Sequence, residues 1–371
     1  MAFIKGSSAP VVDDFFETAN NLESTQFQVQ DTFKSIYGWS PNTSTFLGIN
    51  LFWPTFNLPL DYQQYFLSWH TEQLDLHWLK RQAEEVYPRP ILVANDGIVD
   101  PAIFPDNVKF VQWITWGDQL DQLVKKFGMC ETPVLPEYKI SSLCFRVSQY
   151  KNYVTSYLLQ HATPDELMLT YHKKISSLAD ADLHGYPQNL SWLDALDFTL
   201  LEPTWINFQD NFDWEKNRPV ANGDWRILPY QNALVNFTNE SWHYSFSEVN
   251  GQSFLYPGPY LTEKTWKPLL ASRPFLSVGQ YQTYQTLNRL GLQTNFGFST
   301  EFDQDPGDLT RIRDIFVSID GILTTSIKDL YDQSYDSVVY NSRYIKNGDF
   351  NRACYQENEQ ARGSILEFLS V

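Results

Sequence analysis

Ala233-Leu-Val-Asn-Phe-Thr238, Thr262-Glu-Lys-Thr-Trp-Lys-Pro-Leu-Leu-Ala271 and Pro274-Phe-Leu-Ser-Val278 read in order as strand, helix and strand. The outer runs are short and apolar, the signature of a buried strand. Thr262 is an N-cap residue type standing directly before the helical stretch, and Glu263 suits the positive end of the helix dipole. A strand, a helix and a second strand in sequence make a unit whose strands lie parallel, so this stretch sets the fold class as α/β.

The same alternation extends in both directions. Upstream lie strands at Lys139 to Phe145 and Leu167 to Tyr171, with a helix between them from Gln149 to Gln160. Further upstream come strands near Ser44 to Trp53, Pro90 to Asn95 and Val108 to Ile114, and helices from Thr71 to Val86 and Gly117 to Phe127. Downstream, helical periodicity covers Tyr281 to Leu290, Leu309 to Ile322, Ser326 to Ile345 and Asn351 to Leu369. The double-proline run Cys130-Glu-Thr-Pro-Val-Leu-Pro-Glu breaks the pattern and reads as an interdomain linker. At 371 residues two domains are expected. The boundaries are an acceptor-side α/β domain over 1–136, a nucleotide-sugar-binding α/β domain over 137–350, and a terminal helix over 351–371 that packs back on the first. Ligands of open α/β sheets bind outside the carboxyl ends of the strands, which points to the cleft between the two halves.

Composition narrows the function. Lys and Arg total 27 against 44 Asp and Glu, a net charge of −17, and residues 1–138 hold 8 basic and 17 acidic side chains. Neither half offers the general basic surface that duplex binding uses. Aromatics reach 16%, which serves either core filling or flat stacking surface. Cys130, Cys144 and Cys354 have no metal-ligand spacing and build no disulfide framework, so a reducing, cytoplasmic compartment is expected. No apolar run approaches a membrane span. Neither common glycine-rich phosphate loop occurs, and no His/Cys cluster demands a metal.

Candidate chemistry gathers at the carboxyl ends of the later strands. The free N–H groups after Thr262 are a seat for phosphate, and Lys264 at the positive helix end is best explained by an anion in front of it. Lys267 shares its side of the helix. Arg146 follows a strand directly, with Lys151 one turn into the next helix; Arg pairs phosphate oxygens with its fork and Lys acts as a point charge. Asn239 and Glu240 end another strand, where a carboxylate suits ribose or sugar hydroxyls. Each of these residues has an ordinary alternative as a surface charge, a salt-bridge partner or a helix cap.

The runs Leu261-Thr-Glu-Lys-Thr-Trp-Lys-Pro-Leu269, Arg273-Pro-Phe-Leu-Ser-Val-Gly279 and Leu287-Asn-Arg-Leu-Gly-Leu-Gln-Thr294 resemble the carboxyl-terminal motif of a family of bacteriophage glycosyltransferase-like proteins. More distantly they are similar to the donor-site motif of the α-1,3-fucosyltransferases, in which an acidic and amide cluster, here Asn239-Glu240-Ser241, precedes a Thr-Glu-Lys helix. Leu143-Cys-Phe-Arg146 with Lys151 resembles the family's Arg-containing strand-to-helix element, but Tyr150-Lys151-Asn152 stands where a His-Arg pair is usual.

The resemblance spans roughly 139–300. It implies a GT-B fold, two Rossmann-like domains facing a central cleft, and a metal-independent glycosyltransferase using a nucleoside-diphosphate sugar as co-substrate without further cofactor. The expected roles are Lys264, Glu240 and Asp96 as catalytic residues, with Asp96 as the base. Arg146, Lys151, Asn239, Thr262, Glu263 and Lys267 bind the donor. The acceptor class it suggests is a hydroxymethylated base of phage DNA, reached over a narrow basic strip such as Lys80-Arg81, Lys109, Lys125 and Lys126; the alternative acceptors are a glycan, a protein or a small molecule. Trp53, Trp113 or Trp116 would hold the extruded base. The alternative is an inactive nucleotide- or glycan-binding module on the same fold. A monomer or small homo-oligomer without membrane association is expected in either case.

Overall fold

The computed structural model describes residues 2–5, 46–50, 57–58, 60, 62–69, 76–97, 99, 101–144, 149–171, 195–207, 212–213, 218–219, 228–240, 246–249, 252–255 and 258–369. Arg146, Ser241 and Trp53 lie outside them. The protein is mixed α/β with parallel sheets. It forms two compact units: Met1–Thr115 with Phe246–Tyr260 and Ala353–Val371, and Trp116–Ser245 with Leu261–Arg352.

The first unit contains strands β1 (Ala2–Lys5), β2 (Phe46–Asn50), β3 (Gln64–Trp69), β4 (Ile91–Asn95) and β5 (Val108–Gln112) in that spatial order. Every neighbouring pair is parallel. Helix α1 (Leu76–Val86) connects β3 to β4. Its Leu76, Leu79, Ala83 and Val86 pack with Tyr65, Leu67, Ile91, Val93 and Val108, the residues that alternation puts on one face of the sheet. The other face, with buried Phe66, Leu92 and Ala94, needs a separate cover. The chain's end supplies Ala361 and Ile365, both buried within this unit. Asn358 fixes the end by accepting from the Ile114 N–H at 2.7 Å and donating to its carbonyl at 2.8 Å.

The second unit contains β6 (Tyr138–Cys144), β7 (Leu167–Tyr171), β8 (Thr204–Ile206), β11 (Ala233–Asn239) and β14 (Phe275–Val278). Two-stranded ribbons β9 (Phe212–Asp213) with β10 (Arg218–Pro219), and β12 (Phe246–Val249) with β13 (Gln252–Leu255), account for the remaining strands among the described residues; the β12–β13 ribbon groups with the first unit. The spatial order is β14-β11-β6-β7-β8, parallel except for the antiparallel edge pair β7–β8. From β6 the chain winds outward through β7 and β8. It then returns to the other side of β6 for β11 and β14. The order therefore reverses between β6 and β11, the topological switch point at which ligands of open α/β sheets bind.

The helices of this unit are α2 (Trp116–Phe127), α3 (Gln149–His161), α4 (Leu228–Asn232), α5 (Glu263–Leu270), α6 (Thr283–Arg289), α7 (Asp308–Thr324) and α8 (Ile327–Lys346). The last helix, α9 (Asp349–Leu369), contributes its first residues here and those from Ala353 onward to the first unit.

The passage between units falls at Thr115/Trp116, whereas the sequence expectation put it at 136/137. The reason is aromatic packing. Trp116 and Trp266 are completely buried, their rings 6.3 Å apart, and Phe350 lies 5.8 Å from Trp266 on another side. The double-proline run is likewise fastened to the second unit. Cys130 donates to the Leu270 carbonyl at 2.8 Å, Arg273 Nη1 to Val134 at 2.7 Å and the Tyr331 hydroxyl to Pro133 at 2.8 Å.

Candidate functional site

Helix α5 begins where the sequence places its cap. Thr262 is extended, and its side chain accepts from the Lys264 N–H at 3.4 Å. Pro268 withholds the N–H that would bond to the Lys264 carbonyl, and the helix ends two residues later. Trp266 anchors this short helix in the core, donating its indole N–H to Gln119 at 3.3 Å. Thr265 is buried, while the Lys264 and Lys267 side chains keep 29% and 16% of their surface exposed.

At the switch point β11 ends in Asn239 and is followed by Glu240, both buried. The Glu240 carboxylate accepts from the Thr262 N–H at 3.2 Å, the Thr262 hydroxyl at 2.6 Å and the Thr265 hydroxyl at 2.6 Å. Its backbone carbonyl accepts from the Tyr150 hydroxyl on α3. Glu240 thus ties the start of α5 to β11 and α3. Three of the acceptor positions of its carboxylate are filled by these threonines.

Asn239 donates to Ser142 Oγ on β6 at 3.1 Å, and its buried Oδ1 has no hydrogen-bond partner among the described residues. Next to it Cys144 ends β6. Burial pushes its thiol up to about 11, and the ammonium groups of Lys151 and Lys264 act against that rise. The two charges reach the end of β6 from different helices, Lys151 from α3 and Lys264 from α5. Lys151 is only 5% exposed, and its ammonium also faces the Tyr150 ring at 5.7 Å.

Glu263 lies 3.5 Å from the Lys264 ammonium and 4.0 Å from that of Lys267. Desolvation opposes its ionisation, but the two ammoniums, with Thr262 and the helix start, hold its carboxyl below the ordinary range. The Tyr230 ring is stacked under Lys267 at 6.0 Å. Its phenol is raised by burial and then by the charges of Glu263 and Glu240, so it stays protonated in the working range. The expected donor residues Lys151, Asn239, Thr262, Glu263, Lys264 and Lys267 thus come together in one unit, built from α3, β11 and α5.

The remaining candidates, in the first unit and on α2, are held differently. Asp96 is completely buried, and its carboxylate accepts from the Thr115 N–H at 2.6 Å and the Thr115 hydroxyl at 3.1 and 3.2 Å. It staples the turn after β4 to the segment after β5, and buried so it has no face open to an acceptor. Asn95 and Tyr260 hydrogen-bond through amide and hydroxyl at 2.8 Å beside it. Trp113 and Trp116 are buried as well, so neither is a stacking plate for an extruded base. In the basic strip, Lys125 pairs with Asp121 at 2.6 Å.

Sequence reading missed the Glu240–Thr265 contact and the orphaned amide oxygen of Asn239. The signal for the first was available in the threonines at Thr262 and Thr265, spaced to face one carboxylate. No helix among the described residues is long and apolar enough to cross a membrane. Comparison with protein-family models, with curated proteins and with solved structures finds no match for this chain.

Proposed function

We propose that the second unit binds a nucleoside-diphosphate sugar and that the protein is a metal-independent glycosyltransferase of GT-B type. The observation that carries this reading is the capped start of α5, with the Lys264 ammonium held at Thr262, beside Glu240 at the reversal of strand order, where the charges of Lys264 and Lys151 both act on the thiol that ends β6. Two ammonium groups beside the positive end of a helix suit a diphosphate. In the reaction the acceptor oxygen bonds to the anomeric carbon while the bond from that carbon to the diphosphate oxygen breaks. The electron pair ends on the diphosphate, where the lysines stabilise charge that grows in the transition state. The acceptor proton passes to a base, which Asp96 does not provide as it is held.

Titration of the purified chain with a panel of nucleoside diphosphates tests the reading. Micromolar binding to one of them, weakened at least tenfold in Lys264→Ala, is expected from the loss of a phosphate-bound cation, roughly 1.4 kcal/mol or more. No binding to any, with Lys264→Ala indistinguishable from wild type, removes the proposal.

For the acceptor we propose a hydroxymethylated base of phage DNA, on the resemblance of the 261–294 motifs. The net charge of −17 restricts any duplex contact to a local basic strip. Incubation with nucleotide-sugars and hydroxymethylcytosine DNA, digestion to nucleosides and mass measurement decides it. Donor consumption with another acceptor, and no nucleoside gaining a pentose or hexose mass, rejects the DNA acceptor. The occupied carboxylate of Asp96 favours a second reading, a nucleotide-binding module without transfer; diphosphate binding with no donor turnover for any acceptor would establish it.

A further inference from the structure

The Thr262 hydroxyl has one proton and two lone pairs; the carboxylates of Glu240 and Glu263 both draw on the proton, and the short contact to Glu240 decides its direction. The hydroxyl lies 2.6 Å from Glu240 Oε2, which can only accept, so its proton points there. Its lone pairs then receive the Lys264 backbone N–H at 3.4 Å and the Lys264 ammonium at 3.1 Å. Oε1 of the same carboxylate takes the Thr262 N–H and the Thr265 hydroxyl. The result is a directed chain, Lys264 Nζ–H to Thr262 Oγ1–H to Glu240 Oε2, buried at its carboxylate end and one-third open at its ammonium end.

We infer that Glu240 is a positioning residue: by fixing the direction of the Thr262 hydroxyl it holds the Lys264 ammonium in place for an anionic ligand of the diphosphate class. The inference rests on the nucleoside-diphosphate reading of this site and assigns Glu240 a role other than contact with the ligand. A lysine side chain carries several rotatable bonds, and ordering it in advance removes part of the entropy that binding otherwise costs.

The idea has a sign that distinguishes it from simple electrostatics. A carboxylate that acted only through its charge repels an anion, so neutralising it in Glu240→Gln would tighten anion binding. Under the positioning role the amide can present a donor to Thr262 Oγ1. The hydroxyl proton then swings toward the Lys264 ammonium, two donors face each other, and the ammonium leaves its place.

The experiment is calorimetric titration of the full chain with inorganic pyrophosphate. Glu240→Gln is expected to bind about tenfold more weakly than wild type, the scale of one hydrogen bond to a charged group. Thr262→Ser keeps the hydroxyl and is expected to bind as wild type does, while Thr262→Val keeps the shape, lacks the hydroxyl and loses a similar factor. In the Thr262→Val background Glu240→Gln adds no further loss, because both changes break one chain. Unfolding midpoints measured alongside separate binding from stability, and the Ser/Val pair decides the matter if Glu240→Gln does not fold. Unchanged or tighter pyrophosphate binding by Glu240→Gln, or equal binding by Thr262→Val and Thr262→Ser, overturns the inference and leaves the donor reading standing. Failure of the wild-type chain to bind pyrophosphate and every nucleoside diphosphate overturns both.

Discussion

Replacing Arg311 by Met gives a sharp test of how the switch point is braced. Arg311 is 1% exposed on α7 and uses its whole guanidinium. Nε donates to the Gly279 carbonyl at 3.2 Å, Nη1 to Asp305 and Pro306 carbonyls at 3.1 and 3.4 Å, and Nη2 to Asp308 Oδ1 at 2.9 Å. Gly279 follows β14 directly and lies against Glu240, so this arginine fixes the strand end next to the proposed donor site. Met fills much of the volume but leaves a buried carbonyl unpaired and Asp308 without its cation. The unpaired carbonyl costs about 1–3 kcal/mol, and loss of one partner of a buried ion pair brings the total to about 3–5 kcal/mol. Asp308 keeps 15% of its side chain exposed and can partly rehydrate, which favours the lower end.

Denaturant unfolding followed by tryptophan fluorescence reads this directly, since Trp116 and Trp266 are buried in the same unit. A loss of about 3 kcal/mol is expected for Arg311→Met. Arg311→Lys, which keeps one charge but not the fork, is expected to fall between Met and wild type. A loss below about 1 kcal/mol in the Met variant would mean that the guanidinium contributes little net stability, and the bracing argument would be refuted.

Two further outcomes follow from buried groups nearby. Burial raises the Asp303 carboxyl to about 6, although backbone N–H groups of residues 283–285 favour its charged form. A carboxyl raised on folding binds more protons in the native state, so native stability falls as pH climbs from about 4 to about 6 and is flat above. Thermal unfolding of wild type against Asp303→Asn should therefore show the variant gaining about 1–3 kcal/mol relative to wild type between pH 4.5 and pH 7; a gap independent of pH contradicts the burial argument. At Gly279 a Cβ would come 3.0 Å from Ser277 Oγ and 3.5 Å from Glu240 Cβ. Gly279→Ala is expected to cost about 1–2 kcal/mol in denaturant unfolding, and Ser277→Ala in the same chain should recover part of it; no recovery would place the strain elsewhere.

Local pattern made much of the chain legible. Thr262 caps α5 because a short hydroxyl side chain before a helical run can satisfy its own helix start, a contact two residues long. The runs at 138–144, 167–171, 233–239 and 275–278 are strands because they are short, apolar and flanked by breakers. Strand β3 escaped notice because Gln64-Tyr-Phe-Leu-Ser-Trp69 lies in an aromatic, proline-flanked stretch whose alternation is weak. The edge strand β8 is short enough that only its antiparallel pairing with β7 defines it.

By itself the sequence determined the α/β class, the strand and helix that bracket the candidate site, and the presence of lysines near helix starts. These follow from contacts between residues a few positions apart. Only the tertiary structure decided what those residues meet. Strand order depends on which edges pair after long loops close, and no local period encodes it; the reversal between β6 and β11 sets Asn239 beside Cys144, where the charges of Lys151 and Lys264 both act. The same long-range packing gave the Glu240 carboxylate to Thr262 and Thr265, and the Asp96 carboxylate to Thr115. A carboxylate at a strand end is free for chemistry only if no nearer donor claims it, and whether one does is settled by folding.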